Sequence, residues 1–380
     1  MGGFSLRRVL AVLIKEFTQL RRDRLSYAMI LVMPIVQLLL FGYAINNDPR
    51  HLPTAVLVQD HGPYARSVLS ALDNSGYFDL RQAVRTPEEL DALMSRGEVQ
   101  FALTIPPDFS RRVVRQDKAQ VLMEVDASDP AATGGAVAAL SALSARALSR
   151  DLTGAAREAA GGKPPFEVVV HNRYNPESIT AYNIVPGLLG IILSITLVMM
   201  TSLAVTRERE RGTMESLLAT PVRPLEVMVG KLAPYVAVGL IQGLVVLTLA
   251  RGLFDVPMAD ALASWAALGA GLLLFIVGSL ALGFLISTAA RNQLQAMQLS
   301  FFYIMPSVLL SGFAFPFRGM PGWAQAIGSC LPVTHFLRVV RGALLKGAGF
   351  DETAPSLFAL GAFVLIVSGL AVARYRTTLD

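Results

Sequence analysis

The sequence predicts a mainly α-helical membrane protein: six transmembrane helices with an inserted extracytoplasmic α/β domain. Of its 380 residues, 53% are hydrophobic and only 16% are charged, whereas soluble domains carry about 25% charged residues. The apolar residues form six runs close to or above the roughly 20 residues that cross the hydrocarbon core. Between the first and second runs, strand-like and helix-like patterns alternate, which is typical of a folded α/β domain.

The six apolar runs carry almost no charged residue at their centres. A single charge there would cost about 2.5–3.5 kcal/mol on the insertion scale, so each run is predicted to span the membrane. The runs cover residues 25–45, 179–205, 232–250, 261–290, 294–317 and 354–373.

The flanking charges predict the orientation. The short inner segments hold 14 Lys and Arg residues and the short outer loops hold five, so both termini are predicted to be cytoplasmic. This makes the chain a multi-pass protein of the bacterial inner membrane, with its large domain periplasmic. The net charge of +5 then reflects topology, and no nucleic-acid partner is predicted.

Residues 1–24 alternate apolar and basic positions at helical spacing, which favours an interfacial helix on the inner leaflet. A simple extension of the span at 25–45 is the alternative. No A-x-A-like site follows that span, which argues against a cleaved signal peptide.

Residues 46–178 are predicted to form the extracytoplasmic α/β domain. Thr86 is predicted to cap a helix at 87–97, with Glu89 completing a capping box. The turn "VDASDP" contains Asp126 and Asp129, which could form a metal or contact site; the preferred interpretation is a strand-ending turn that caps a helix at 131–160 through Ser128 or Asp129. The domain contains no H-E-x-x-H or G-x-S-x-G motif.

The outer segment 318–353 contains an apolar stretch, 323–345, that Pro332, Arg338 and Arg341 interrupt. It is predicted to form one or two short re-entrant or interfacial helices, or an ordinary loop folded on the bundle. With it, residues 179–380 comprise five transmembrane helices.

The inner segment 206–231 begins with "TRERERGTMESLLATP". Charged residues prolong the second span beyond the lipid and Gly212 interrupts it. Thr213 can cap a short amphipathic helix at 214–219, which Pro221 ends. The result is a short helix across the inner face with an apolar edge free to dock; a solvated, positively charged loop is the alternative.

This motif resembles the cytoplasmic loop of ABC-2 type transporter permeases, and the order of elements resembles their exporter branch with a large extracytoplasmic domain between the first two transmembrane helices. The resemblance implies a permease subunit that moves an amphipathic drug or lipid-like substrate outward, with the loop as the coupling helix that contacts a separate cytoplasmic ATPase. The implied coupling residues are Arg207, Glu208, Arg209, Glu210, Gly212, Thr213, Met214, Glu215, Leu217, Leu218, Thr220 and Pro221.

The chain carries no ATP-binding motor of its own. Neither of its Gly-Lys pairs fits the P-loop pattern G-x-x-x-x-G-K-[ST]. We therefore expect no catalytic residue, metal site or cofactor in this chain, with ATP and magnesium bound by the ATPase. The other expected partners are a second permease copy or a paralogue, membrane lipids and, as often in this branch, a periplasmic adaptor.

Polar and small residues within the spans are candidates for the translocation path or for helix–helix contacts, and both interpretations stay open. No carboxylate lies at mid-span, which argues against the alternative of a secondary transporter. A non-transporting sensor or anchor with a ligand-binding outer domain is the other alternative. The candidates are Gln37, Asn183, Gly239, Gln242, Gly243, Gln298 and Tyr303.

Overall fold

A computed structural model describes residues 49–148, 151, 164–210, 224–258 and 261–374. The predicted interfacial helix at 1–24, the first predicted span at 25–45 and residues 211–223 of the cytoplasmic loop lie outside the described residues. The described part comprises an α/β region followed by a helical bundle.

The α/β region is built on one five-stranded sheet of order β2-β1-β3-β4-β5. Only β3 and β4 pair antiparallel; the other neighbours are parallel. The strands are β1 Leu52–Val58, β2 Phe78–Val84, β3 Phe101–Ile105, β4 Gln120–Asp126 and β5 Glu167–Arg173. The helices are α1 Pro63–Asn74, α2 Pro87–Ser95, α3 Phe109–Arg115 and α4 Pro130–Arg146.

Local sequence signals account for much of this region. The backbone amide of Glu89 donates to Thr86 Oγ1 at 3.3 Å, so the predicted cap of α2 is confirmed. The Glu89 carboxylate accepts from the Arg85 amide at 3.1 Å, one residue before the position a capping box predicts. The α/β region has its own hydrophobic core. Within it, the rings of Phe78 on β2 and Phe101 on β3 pack edge to face, with their centroids 5.1 Å apart.

Seven α-helices form the described part of the bundle, with a 3₁₀ turn at Phe317–Gly319 and a π turn at Gly342–Lys346. Four of them, α5, α6, α7 and α11, are long and apolar enough to cross a membrane. The helices are α5 Thr180–Glu210, α6 Pro224–Phe254, α7 Leu262–Ala289, α8 Gln293–Leu310, α9 Gly322–Ser329, α10 Pro332–Arg341 and α11 Phe350–Arg374.

One predicted segment differs from the structure, and the short helices predicted in another are confirmed. The span predicted at 294–317 is too long, because α8 ends at Leu310 and Gly312 adopts a left-handed backbone with φ of +85°. Over the broken stretch at 323–345, the structure has the two short helices α9 and α10 and the π turn rather than a loop.

Helix α7 lies at the centre of the bundle and packs against α5, α6, α10 and α11. The ring of Phe275 on α7 stacks on Phe336 of α10 with centroids 4.3 Å apart. At Gly283 the backbone of α5 comes so close that an added Cβ would lie 2.7 Å from the Val198 carbonyl oxygen. The small residue therefore sets the distance between α5 and α7.

Replacing this glycine tests the close approach. We expect Gly283→Ala to destabilise the bundle by about 1–3 kcal/mol, the usual cost of overpacking, because the new methyl group meets backbone that cannot yield. Gly269→Ala on the same helix is the control, since its Cβ would meet nothing within 4 Å. Thermal unfolding of the detergent-solubilised chain measures both, and equal melting temperatures would contradict the packing.

Candidate functional site at the two ends of the bundle

The C-terminal end of α5, which the sequence predicts to be cytoplasmic, contacts the turn between α7 and α8. Arg209 Nη1 donates to the Ala290 carbonyl oxygen at 3.2 Å. The Glu210 carboxylate accepts from the Gln293 backbone amide at 2.8 Å and also from the Gln293 side-chain amide. Arg207 Nε adds a longer contact of 3.4 Å to Gln293 Oε1. The charged end of α5 is therefore held against two other helices.

The turn that receives α5 is itself ordered by a reciprocal capping pair, displaced by one residue from a capping box like the one at Thr86. Asn292 Oδ1 accepts from the Gln295 amide at 2.8 Å, and Gln295 Oε1 accepts from the Arg291 amide at 2.9 Å. This reciprocal pair fixes the start of α8. Sequence reasoning missed it, although the N-x-x-Q spacing in "ARNQLQ" carries the signal.

The structure describes only the first four of the predicted coupling residues, Arg207 to Glu210. The others, from Gly212 to Pro221, lie outside the described residues, as does Gln37. The structure shows the helix end that precedes this segment, and polar contacts hold that end against the turn between α7 and α8.

Three of the candidate residues within the spans, Gln242, Gly239 and Gly243, lie at helix contacts. Gln242 Nε2 on α6 donates to Thr196 Oγ1 on α5 at 3.1 Å. Gly239 and Gly243 face α7, where an added Cβ would lie 3.0 Å from Ile276 and 3.1 Å from Leu272 respectively. Gln298 and Tyr303 lie half-buried on α8.

At the outer end, Asn183 joins α5 to the α/β region, because its Nδ2 donates to Asp129 Oδ1 at 2.9 Å. Lys346, at the end of the π turn, pairs with Asp126 at the end of β4. The two side chains are only 9% and 7% exposed, and the Lys346 ammonium lies 5.0 Å from the centre of the Tyr174 ring. This outer junction, Asp126, Asp129, Tyr174, Asn183 and Lys346, connects the sheet to the bundle.

The turn predicted at "VDASDP" is present and Asp129 occupies the N-cap position of α4, which begins at Pro130, but no side chain caps the helix, so that part of the prediction is wrong. One oxygen of the Asp126 carboxylate accepts from the Ser128 amide at 3.1 Å and so forms the turn. The other oxygen pairs with Lys346 in the outer junction. Among the described residues no group of three or more His, Cys, Asp or Glu could hold a metal ion.

Arg173 serves the fold of the α/β region. Its Nε lies 2.7 Å from Glu124 and its Nη2 lies 2.6 Å from Asp91. Burial lowers the pKa of this guanidinium, but the hydrogen bond to Asp91 and the charges of Glu124 and Asp91 outweigh burial, so the pKa lies above its ordinary value. Asp91 and Glu124 therefore already accept from the Arg173 N–H groups that an anionic ligand would need.

The fold places this chain among polytopic membrane proteins of the helical-bundle class. Residues 24–373 match the family described as "ABC-2 family transporter protein", and the chain belongs to this family of ABC transporter permeases. Membership implies an ATPase partner.

Three relatives from Escherichia coli (strain K12) match over nearly their full length. The "Probable multidrug ABC transporter permease YbhS" is 31% identical over 348 residues, which cover 90% of each chain. The "Probable multidrug ABC transporter permease YbhR" is 26% identical over 97% of this chain and 98% of its own length. The "Inner membrane transport permease YhhJ" is 28% identical over 98% of each chain.

Removing one partner of the buried ion pair tests the outer junction. We expect Lys346→Met to destabilise the full chain by ~3–5 kcal/mol, because it leaves the Asp126 carboxylate buried and uncompensated. Lys118→Met, at an exposed lysine, is the matched control and should unfold like the parent. The double variant Lys346→Met/Asp126→Asn should recover part of the loss. Thermal unfolding in detergent decides, and a double variant no more stable than Lys346→Met would contradict the pairing.

Proposed function

We propose that this chain is the membrane-spanning subunit of an ATP-driven exporter, in which a separate cytoplasmic ATPase acts on the segment 206–221. The observation that carries the proposal is the fastening of the α5 end to the turn at Ala290 and Gln293. A segment that follows this helix end can transmit a displacement to α5, α7 and α8 at once. A loop that only sets the topology would not need these contacts.

A displacement of the cytoplasmic loop would pass into the bundle through the contacts between its helices. A force on the loop after Glu210 reaches α5 directly, and it reaches α7 and α8 through the contacts of Glu210 and Arg209 with their connecting turn. Within the bundle, Ser202 on α5 and Ser300 on α8 share a hydrogen bond of 2.9 Å, which extends the connection. The three helices would therefore move as one unit.

The substrate class follows from chemistry and from relatives. Two of the E. coli relatives are named as probable multidrug permeases, which supports an amphipathic drug or lipid-like cargo moving outward. A six-span chain supplies half of a transport path, so we propose that a second copy or a paralogue completes it. Secondary transport is not favoured, because ABC permeases draw on an ATPase.

The orientation belongs to the same proposal. With both termini cytoplasmic, 206–231 faces the ATPase and the α/β region faces the periplasm, where an adaptor could contact it. The excess of Lys and Arg in the short inner segments, 14 against five, supports this arrangement.

The proposed docking edge of the short helix at 214–219 can be tested by one substitution. We expect Leu218→Asp to abolish co-purification of the ATPase, because buried apolar anchors carry most interface energy, on the order of 2 kcal/mol or more each. Leu218→Met keeps the volume and polarity and is the control. Pull-down of the ATPase at matched membrane levels is the measurement, and undiminished capture with Leu218→Asp would refute docking through this edge.

Coupling can be separated from docking at Gln293. We expect Gln293→Ala to leave ATPase capture intact while drug efflux from cells falls several-fold, because the end of α5 loses the side-chain hydrogen bonds of Gln293 to Glu210 and Arg207. The bond from the backbone amide to Glu210 remains, but the side chain no longer orients that carboxylate. Arg291→Gln on the same turn is the control, since the hydrogen bond of Arg291 is made by its backbone. Efflux equal to the parent at equal ATPase capture would exclude transmission through this contact.

A further inference from the structure

Three arginines, which we call the arginine cluster, lie on the outer segment of the bundle: Arg318 on the 3₁₀ turn, and Arg338 and Arg341 on α10. Arg318 Nη2 donates to the Gly97 carbonyl oxygen at 3.0 Å, and Arg341 Nη1 donates to the Gly312 carbonyl oxygen at 3.2 Å. The guanidinium of Arg338 lies over the Phe317 ring, 4.9 Å from its centre.

The cluster carries positive charge that the described part of the chain does not neutralise by direct pairing. None of its members has a carboxylate within ion-pair distance among the described residues. Asp126 and Asp129 are the nearby carboxylates whose charge reaches Arg341, but Lys346 pairs with Asp126 and Asn183 binds Asp129. The three arginines and Lys346 thus outnumber the two nearby carboxylates, Asp126 and Asp129.

The donors that remain are suited to an oxyanion. Arg341 Nε and Nη2 are buried without a hydrogen-bond partner among the described residues, and a buried donor left unpaired costs stability. Arg338 lies over the Phe317 ring and is exposed, so its guanidinium is accessible to a ligand. Planar guanidinium groups bind phosphate oxygens in bidentate fashion.

The surroundings of the cluster resemble the edge of a membrane. The two tryptophans of the chain, Trp265 near the start of α7 and Trp323 on α9, are 40% and 46% exposed, and tryptophan concentrates at the head-group level of bilayers. Ile327, one turn after Trp323, is 48% exposed. Helix α9 packs on the end of α8, in the same apolar cluster as Phe317, so this apolar edge adjoins the arginine cluster.

We propose that the arginine cluster binds the phosphate of an anionic phospholipid from the outer leaflet, with the acyl chains along the exposed edge of α9. The outward placement rests on the orientation given under Proposed function. The phosphate chemistry would also suit a free inorganic phosphate, but the adjoining apolar edge favours the lipid.

Lipid binding to the purified full-length chain in detergent tests this proposal without any ATPase or export assay, so its failure is distinguishable from failure of the exporter function. We expect phosphatidylglycerol to bind more tightly than phosphatidylcholine. Arg318→Gln and Arg338→Gln should each weaken phosphatidylglycerol binding about tenfold, the effect of losing one charge-assisted hydrogen bond. Arg251→Gln, at an exposed arginine of the outer end of α6, is the matched control and should bind like the parent.

Two results would overturn the proposal. If Arg318→Gln/Arg338→Gln binds phosphatidylglycerol like the parent, or if Arg251→Gln loses as much, the cluster does not hold the head group. If inorganic phosphate displaces the lipid at concentrations as low as phosphatidylglycerol itself does, the site takes a soluble anion and the lipid assignment is wrong. Arg341 is left unchanged in these variants because its substitution could disturb folding.

Discussion

Close packing around α7 is the constraint on which the described bundle depends. Helices in lipid gain little from the hydrophobic effect on associating, so small residues that let backbones approach supply much of the association. Gly283 admits the backbone of α5, and at Gly271 an added Cβ would lie 2.8 Å from Val339 of α10. At Gly278 the corresponding distance to Phe363 of α11 is 3.2 Å. Helix α7 therefore cannot move far without its neighbours.

Helix α5 extends this constraint to both ends of the bundle. Its outer end reaches the α/β region through Asn183 and Asp129, and its inner end is held by Gln293. Polar contacts thus hold α5 at its two ends, and close packing against Gly283 of α7 holds it in the middle. One helix of 31 residues therefore connects the junction with the α/β region to the turn that holds Gln293, and the proposed action of the ATPase would use this connection.

The sequence predicts those features whose causes are local. Thr86 and Glu89 specify the start of α2, and uninterrupted apolar runs specify α5, α7 and α11. The family follows from one motif and the order of elements, and the match over 24–373 confirms it. These signals depend on a residue and its near neighbours, which a sequence displays directly.

The parts that sequence reasoning missed depend on distant partners. Asp126 appeared to belong to a capping turn, but its ion-pair partner Lys346 lies 220 residues further along the chain. Gln293 binds Glu210, which lies 83 residues away, and nothing near either residue indicates the pairing. Such pairs need the tertiary arrangement, because side-chain types alone do not select among many possible partners.

The outer cations show how tertiary structure overrides a topological preference. Lys and Arg are disfavoured in short outer loops, yet four of the five that the proposed orientation places there lie between residues 318 and 346. Arg318 binds the α/β region, Lys346 binds Asp126, and Arg341 binds the carbonyl of Gly312. Arg251, the fifth, is exposed at a helix end. Contacts with the α/β region therefore account for part of this clustering, and the charge that those contacts leave unpaired is what the proposed lipid-phosphate site would use.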